Sequence, residues 1–344
     1  MKKQISILSV CLFSLFVLFG CSDQDKDVDK SKDKEKEKVA TIELAEVARS
    51  IFYAPLYVAM NEGFFEEEGI EISLTTVPGG DKTMTTLLSG GADMILVGAE
   101  TSIYVAEQGA KDRVVSFANL TQTDGTFLVA REEIEDFEWS SLAGATFLGQ
   151  RVGGMPQMVG EYVLKKHDID PDNDLEELIQ NIDFANIGSA FASGTGDFVQ
   201  LFEPTASILE KEGVGHVVAS FGKESGVVPY TTFMTKASYI DENPDVVAAF
   251  TRAIYRAQQW VYAHNPEEIA ASITPFFPDA DSDIVIRSVQ RYLEQESFAH
   301  TPLLTADMWD QLQVIMMDGG QLDTPTSYDE LVDQTFALDA MKGD

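Results

Sequence analysis

The sequence predicts an α/β protein built as two lobes joined by two crossover strands, and three observations carry that prediction. From Thr41 onward, short apolar runs alternate with stretches of helical periodicity, the pattern of a sheet flanked by helices. The pattern runs twice, with a break near Arg131, and a further apolar run at 231–235 precedes a largely helical end. About 305 residues lie in this patterned region, which is more than one ordinary core organises.

The first series opens with a strand over 41–47, where Ile42 and Leu44 stand between polar neighbours. In the helix that follows, Leu56, Ala59, Met60, Gly63 and Phe64 recur at i, i+3, i+4, i+7 and i+8, so one face is buried. Pro55 sits near its first turn, where a missing N–H costs little. Residues 70–76 read as the next strand, and the helix after it ends at Ser89-Gly90-Gly91. Residues 94–98 form a short buried strand, with Thr101 or Ser102 suited to cap the next helix. Strands over 114–119 and 127–130 complete the series.

The second series places strands at 145–148, 182–184, 198–202 and 216–220, with helices over about 158–166 and up to about Glu212. Strands that alternate with helices pair in parallel. Asn243-Pro244 and Asn265-Pro266 start two helices, and the first buries Val247, Phe250, Ile254, Ala257 and Val261. The chain therefore leaves the first lobe near Thr126 and returns near Pro229. Lobe 1 spans 40–127 and 231–344, and lobe 2 spans 128–230. A ligand belongs where the strand C-termini of the two lobes face each other across the hinge.

The front end sets a compartment. Met1-Lys2-Lys3 is basic, and residues 5–19 form an apolar run too short to span a bilayer comfortably, as in a secretory signal peptide. The run ends in Leu18-Phe19-Gly20-Cys21, which resembles a bacterial lipobox and implies a signal peptide over 1–20 with a lipid on Cys21. Two acyl chains on that cysteine anchor a protein firmly to a membrane, where one holds it marginally. Residues 21–39 are almost entirely charged or small and polar, a solvated tether. Cys11 leaves with the signal, so the mature chain has no disulfide.

The chain carries 24 Lys and Arg against 57 Asp and Glu. Setting aside Lys2, Lys3 and the six lysines and seven acids of 22–38 leaves 16 basic and 50 acidic residues in the body. Such a surface repels phosphate backbones, which excludes nucleic acid as a partner. No zinc-ligand spacing and no P-loop occurs, so neither a metal nor another cofactor is expected.

Several segments resemble one family in the same order. They are Ile51-Phe52-Tyr53-Ala54-Pro55-Leu56-Tyr57-Val58-Ala59, Gly63-Phe64-Phe65-Glu66, Gly69-Ile70-Glu71-Ile72, Leu88-Ser89-Gly90-Gly91-Ala92-Asp93, Ser141-Leu142-Ala143-Gly144, Gly194-Thr195-Gly196-Asp197 with Glu203-Pro204, and Asn243-Pro244 to Trp260. The family is that of the SsuA-like solute-binding proteins of ABC importers. The resemblance implies a type II periplasmic-binding-protein-like fold and an extracytoplasmic lipoprotein, not an enzyme. It would hand a small molecule to a membrane permease powered by a separate ATPase. Family members take aliphatic sulfonates, taurine, nitrate or a thiamine pyrimidine precursor. Relatives that make that pyrimidine carry a cysteine-rich iron motif, and no cysteine follows Cys21 here.

In such a cleft the loops after the strands reach the ligand. Arg49, Phe52 and Tyr53 follow the first strand: the rings can clamp a flat ligand, and Arg49 can hold an anion or pair with a surface acid. Glu100, Thr101 and Ser102 stand between a strand and a helix N-terminus, where Glu100 either accepts an amine or complements the helix dipole. Gln122 and Asp124 precede the first crossover. Gly154 and Met155 lie in a bare turn able to present backbone N–H groups. Asn186 can offer an amide, Glu203 a carboxylate for an aminopyrimidine or ammonium, and Tyr230 can close over the ligand. Glu100 and Glu203 beside Phe52 and Tyr53 favour a nitrogen-rich ring such as a thiamine pyrimidine precursor. Arg49 and Arg151 favour the alternative, a sulfonate, taurine or nitrate. A pyrimidine-synthesis enzyme and a ligand-sensing lipoprotein are the remaining alternatives.

Overall fold

The computed structural model describes residues 40–343. The expected signal peptide, the lipidated Cys21 and the tether lie outside the described residues. Among those described, no helix is long and apolar enough to cross a membrane, and no group of acids, histidines or cysteines is arranged to hold a metal.

Ten strands form two five-stranded sheets. The first sheet holds β1 (Ala40–Glu46), β2 (Ile70–Thr76), β3 (Met94–Gly98), β4 (Val114–Thr121) and β10 (Thr231–Lys236), in the order β2-β1-β3-β10-β4. The second holds β5 (Thr126–Ala130), β6 (Thr146–Leu148), β7 (Glu177–Ile179), β8 (Phe198–Phe202) and β9 (His216–Ser220), in the order β7-β6-β8-β5-β9. Every residue of β4 and β5 is buried, which is why these strands read as continuous apolar or small-residue runs.

The expectation of parallel pairing holds for β1 with β2 and β3, and for β6 with β7 and β8. It fails at two strands. β10 lies antiparallel between β3 and β4, and β5 lies antiparallel between β8 and β9. Each is the first strand after the chain has passed from one sheet to the other. Neither arrives through a crossover helix of its own sheet, so nothing turns it to run with its neighbours.

Helix α1 (Ala54–Asn61) starts with Pro55 in its first turn, as the sequence predicts, but it stops short of Phe64. Gly63 takes φ 78° and starts a separate turn, Phe64–Glu67. Thr101 and Ser102 cap nothing, because helix α2 (Glu100–Glu107) begins one residue earlier. Their hydroxyls donate back to the Gly98 and Ala99 carbonyls. Residues 182–184 are not a strand. β7 lies five residues earlier, and Phe184–Asn186 is a single 3-10 turn set up by the turn-forming Asn181 and Asp183. Helix α3 (Met155–Lys166) begins three residues earlier than its periodicity suggests. Helix α4 (Thr205–Lys211) follows β8.

In the helical end, Asn243 precedes α5 (Pro244–Ala263) without a side-chain cap, its Nδ2 donating to the Tyr239 carbonyl. Asn265 makes a full capping box with Glu268. Helices α6 (Ser282–Glu294) and α7 (Ala306–Asp318) then reach structure from both sheets. On α6, Arg291 forms an ion pair with Glu203 after β8 at 2.7 Å, and the Tyr292 hydroxyl accepts the Glu203 N–H. On α7, Asp318 pairs with Lys165 of α3 at 3.0 Å.

Candidate ligand-binding site

The site is built where the first sheet's loops meet the two crossings. After β1, Ser50 accepts the Phe52 N–H and sets the one-turn helix Ile51–Tyr53, so both aromatic side chains point inward and are buried. Phe52 is the centre of an aromatic group. Its ring lies 5.8 Å from Tyr53, 5.7 Å from Phe202, 5.6 Å edge-on to Tyr230 and 5.1 Å from Tyr292. Phe184 packs on Phe202 at 5.6 Å and is itself half exposed. Gly125, in the first crossing, makes room for these rings: a Cβ there would stand 2.8 Å from Phe52 and Phe202.

Two carboxylates flank this group. Asp124 has no exposed surface, and its Oδ1 accepts both the N–H and the hydroxyl of Thr126, while Oδ2 has no partner. Glu100, 5% exposed, opens α2, and its carboxylate folds back over Gly98, where a Cβ would come within 2.1 Å of Oε2. Oε2 also lacks a partner. The Tyr230 hydroxyl faces Asp124, but neither it nor Oδ2 has a partner of hydrogen-bonding geometry. Tyr53 lies against Thr231. Buried polar atoms without partners are uncommon, because each forfeits its hydration.

Burial pushes Glu100 up to about 7 and Asp124 up to about 6, each partly offset by hydrogen bonds. Burial also holds Tyr53 and Tyr230 above the ordinary phenol range, reinforced by nearby carboxylate charge. Among the described residues, no Lys or Arg forms an ion pair with Glu100 or Asp124. The site is thus a buried, acceptor-rich cluster among aromatic rings, whose chemistry suits a flat molecule that donates N–H bonds.

A family model described as the NMT1-like family matches residues 35–274, well over half of the chain. The chain belongs to the NMT1-like family. It is 55% identical over 340 residues to YtlA of Bacillus subtilis (strain 168), covering 98% of each protein; that relative's name assigns a binding role provisionally and gives no ligand. It is 28% identical over 222 residues, 62% of this chain and 63% of the relative, to a formylaminopyrimidine-binding protein of Halalkalibacterium halodurans. In structure it resembles the alkanesulfonate-binding protein SsuA of Xanthomonas axonopodis pv. citri bound to MOPS. The TM-score is 0.68 at 15% identity, over 86% of this chain and 99% of that one. At that identity the likeness speaks for the fold alone. The family and the binding-protein fold expected from the sequence both hold.

The NMT1-like match spans all the ligand-binding candidates named from the sequence, and Cys21 lies before it. Phe52, Tyr53, Glu100 and Tyr230 come together in one buried cluster, and Asp124 completes it. Met155 is buried at the start of α3, and Gly154 precedes it as that helix's N-cap. The others are engaged elsewhere. Arg49 is held by the buried Glu46 at 2.6 Å and lies over Tyr57. Thr101 and Ser102 are bound to their own helix, and Gln122 donates to the Glu296 carbonyl. Asn186 is exposed. Glu203 is saturated by Ser207 and Arg291. Arg151 is exposed and lies 3.5 Å from Asp81. Sequence reasoning gave no role to Phe202, Phe184 or Tyr292. Tyr292 sits on an amphipathic helix beyond the NMT1-like match, and no local pattern marks it.

Proposed function

We propose that this protein is the solute-binding component of an ABC import system. It is a lipoprotein held outside the cytoplasmic membrane through Cys21, with one lobe around each sheet, closing on its ligand and doing no chemistry on it. Membership of the NMT1-like family, the shared fold with SsuA and the similarity to a formylaminopyrimidine-binding protein support this reading. A membrane permease and its ATPase are the implied partners.

For the ligand we infer a nitrogen-rich heteroaromatic of the thiamine-pyrimidine-precursor class. One observation carries the choice: Glu100 and Asp124 each bury an unpartnered carboxylate oxygen beside aromatic rings, with no cation paired to either. A sulfonate or nitrate placed there would meet negative charge, and the arginines that would favour it are Arg49, tied to Glu46, and Arg151, out at the surface. Thermal-shift measurements with formylaminopyrimidine, taurine, an alkanesulfonate and nitrate test this. Stabilisation by formylaminopyrimidine is expected; stabilisation by the anions alone would overturn the ligand assignment.

A further inference from the structure

We propose that Gln295 is a positioning residue for Asp124: its amide fixes the Asp124 backbone, so that the one free carboxylate oxygen of that acid keeps a set direction for a ligand N–H. This rests on the reading of Asp124 as a ligand acceptor, and it gives a part to a side chain outside the aromatic group.

Asp124 stands in the first crossing, and three elements hold it. Its N–H donates to Ser225 Oγ at 3.4 Å, at the end of the short helix Phe221–Ser225. Its carbonyl accepts from Gln295 Nε2, just after α6. Its Oδ1 accepts the Thr126 N–H at 2.6 Å and the Thr126 hydroxyl, at the start of β5. Of its polar atoms Oδ2 alone lacks a partner, in a residue with no exposed surface.

Gln295 is buried too, and its whole amide is used. Nε2 donates to the Asp124 carbonyl and to Ser297 Oγ, the latter at 2.8 Å, while Oε1 accepts from Ser220 Oγ. An amide nitrogen has two hydrogens, so none is left for Oδ2. The grip therefore holds the Asp124 backbone and leaves its free oxygen open to a donor from outside. Gly222 makes room for it, since a Cβ there would stand 2.3 Å from both the Asp124 carbonyl oxygen and Gln295 Nε2. The support behind Gln295 is firm as well. Glu296 takes φ 55°, a left-handed conformation rare for a residue with a Cβ, and its carbonyl accepts Gln122 Nε2 at 3.1 Å. The Ser297 carbonyl accepts the Gln122 N–H at 2.8 Å. These bonds fasten the end of α6 to the chain just ahead of Asp124. Three residues earlier, Tyr292 supplies its ring to the aromatic group, so one helix end brings both a ring and a mount to the site.

Native-state hydrogen exchange and calorimetry with formylaminopyrimidine are run on wild type, Gln295→Met, Asp124→Asn and the double variant. Gln295→Met keeps the side chain's length and removes its hydrogen bonds. In the ligand-free protein it should speed exchange at the Asp124 and Thr126 amides by about tenfold and leave the amides inside β3 and β8 unchanged. It should weaken binding by about tenfold where Asp124 is intact, and not at all beside Asp124→Asn, because a positioning residue acts through the group it holds. A side chain serving stability alone would weaken both backgrounds alike. Unchanged exchange at those two amides, or equal losses of affinity in the two backgrounds, overturns the proposal. If Gln295→Met does not fold, Gln295→Glu carries the same comparison, since it still accepts from Ser220 but cannot donate to Asp124. The exchange result needs no ligand: if wild type does not bind formylaminopyrimidine, the ligand assignment falls and exchange alone decides whether Gln295 holds Asp124.

Discussion

Glu100 and Asp124 hold their protons more tightly in the folded protein than in the unfolded chain, because burial raises them from 4.5 to about 7 and from 3.8 to about 6. Between those limits the native state binds more protons than the unfolded one. Stability therefore falls as pH rises through about 4 to 7 and levels off above. For Glu100 the cost of ionisation at pH 8 is on the order of 3 kcal/mol. Urea unfolding at pH 5 and pH 8 should show wild type losing more stability over that interval than the double variant Glu100→Gln/Asp124→Asn. Equal losses would mean the two acids do not titrate as described. A ligand that donates N–H bonds needs the ionised acids, so calorimetry with formylaminopyrimidine is expected to give tighter binding at pH 8 than at pH 5.

At the scale of elements, the contact between α6 and the segment after β8 repays attention. Glu203 has no exposed surface on its side chain, and Arg291 neutralises it. Arg291→Met should cost about 3–5 kcal/mol in urea melts, because the buried carboxylate is left without a counter-charge. Gly125→Ala is expected to cost about 1–3 kcal/mol by pressing on Phe52 and Phe202. Both interactions explain what could be read beforehand. Strands with strong local patterns, such as β8 and β9, stand where periodicity puts them. β7 does not, because three residues, none of them buried, carry too little pattern to outweigh the apolar pair Ile182 and Phe184 nearby. The site divides the same way. Phe52, Tyr53, Glu100 and Tyr230 follow or flank strands and were legible as loop positions. The fate of Glu203 was not, since its partner Arg291 lies 88 residues away and nothing local announces it.

At the scale of the whole molecule, the proposed closing motion would work through the two crossings between the sheets, and the proposed lipid on Cys21 would set where it happens. Cys21→Ser should move the protein from the membrane fraction to the soluble fraction or medium while leaving ligand-induced thermal stabilisation intact. Retention on the membrane would show that something other than a lipid on Cys21 holds it there. A tie just after α6 links the two crossings. Gln295 accepts from Ser220 at the end of β9 and donates to the Asp124 carbonyl, so one side chain bridges both crossings. Both partners precede Gln295 in the chain, Asp124 by 171 residues and Ser220 by 75. A ribosome therefore releases the strands of both sheets before it delivers the pin that joins the crossings. Until that late stretch has emerged, the growing polypeptide has neither a finished pivot nor the Tyr292 wall. On the proposed reading, a ligand would find its full set of contacts only once that stretch is in place.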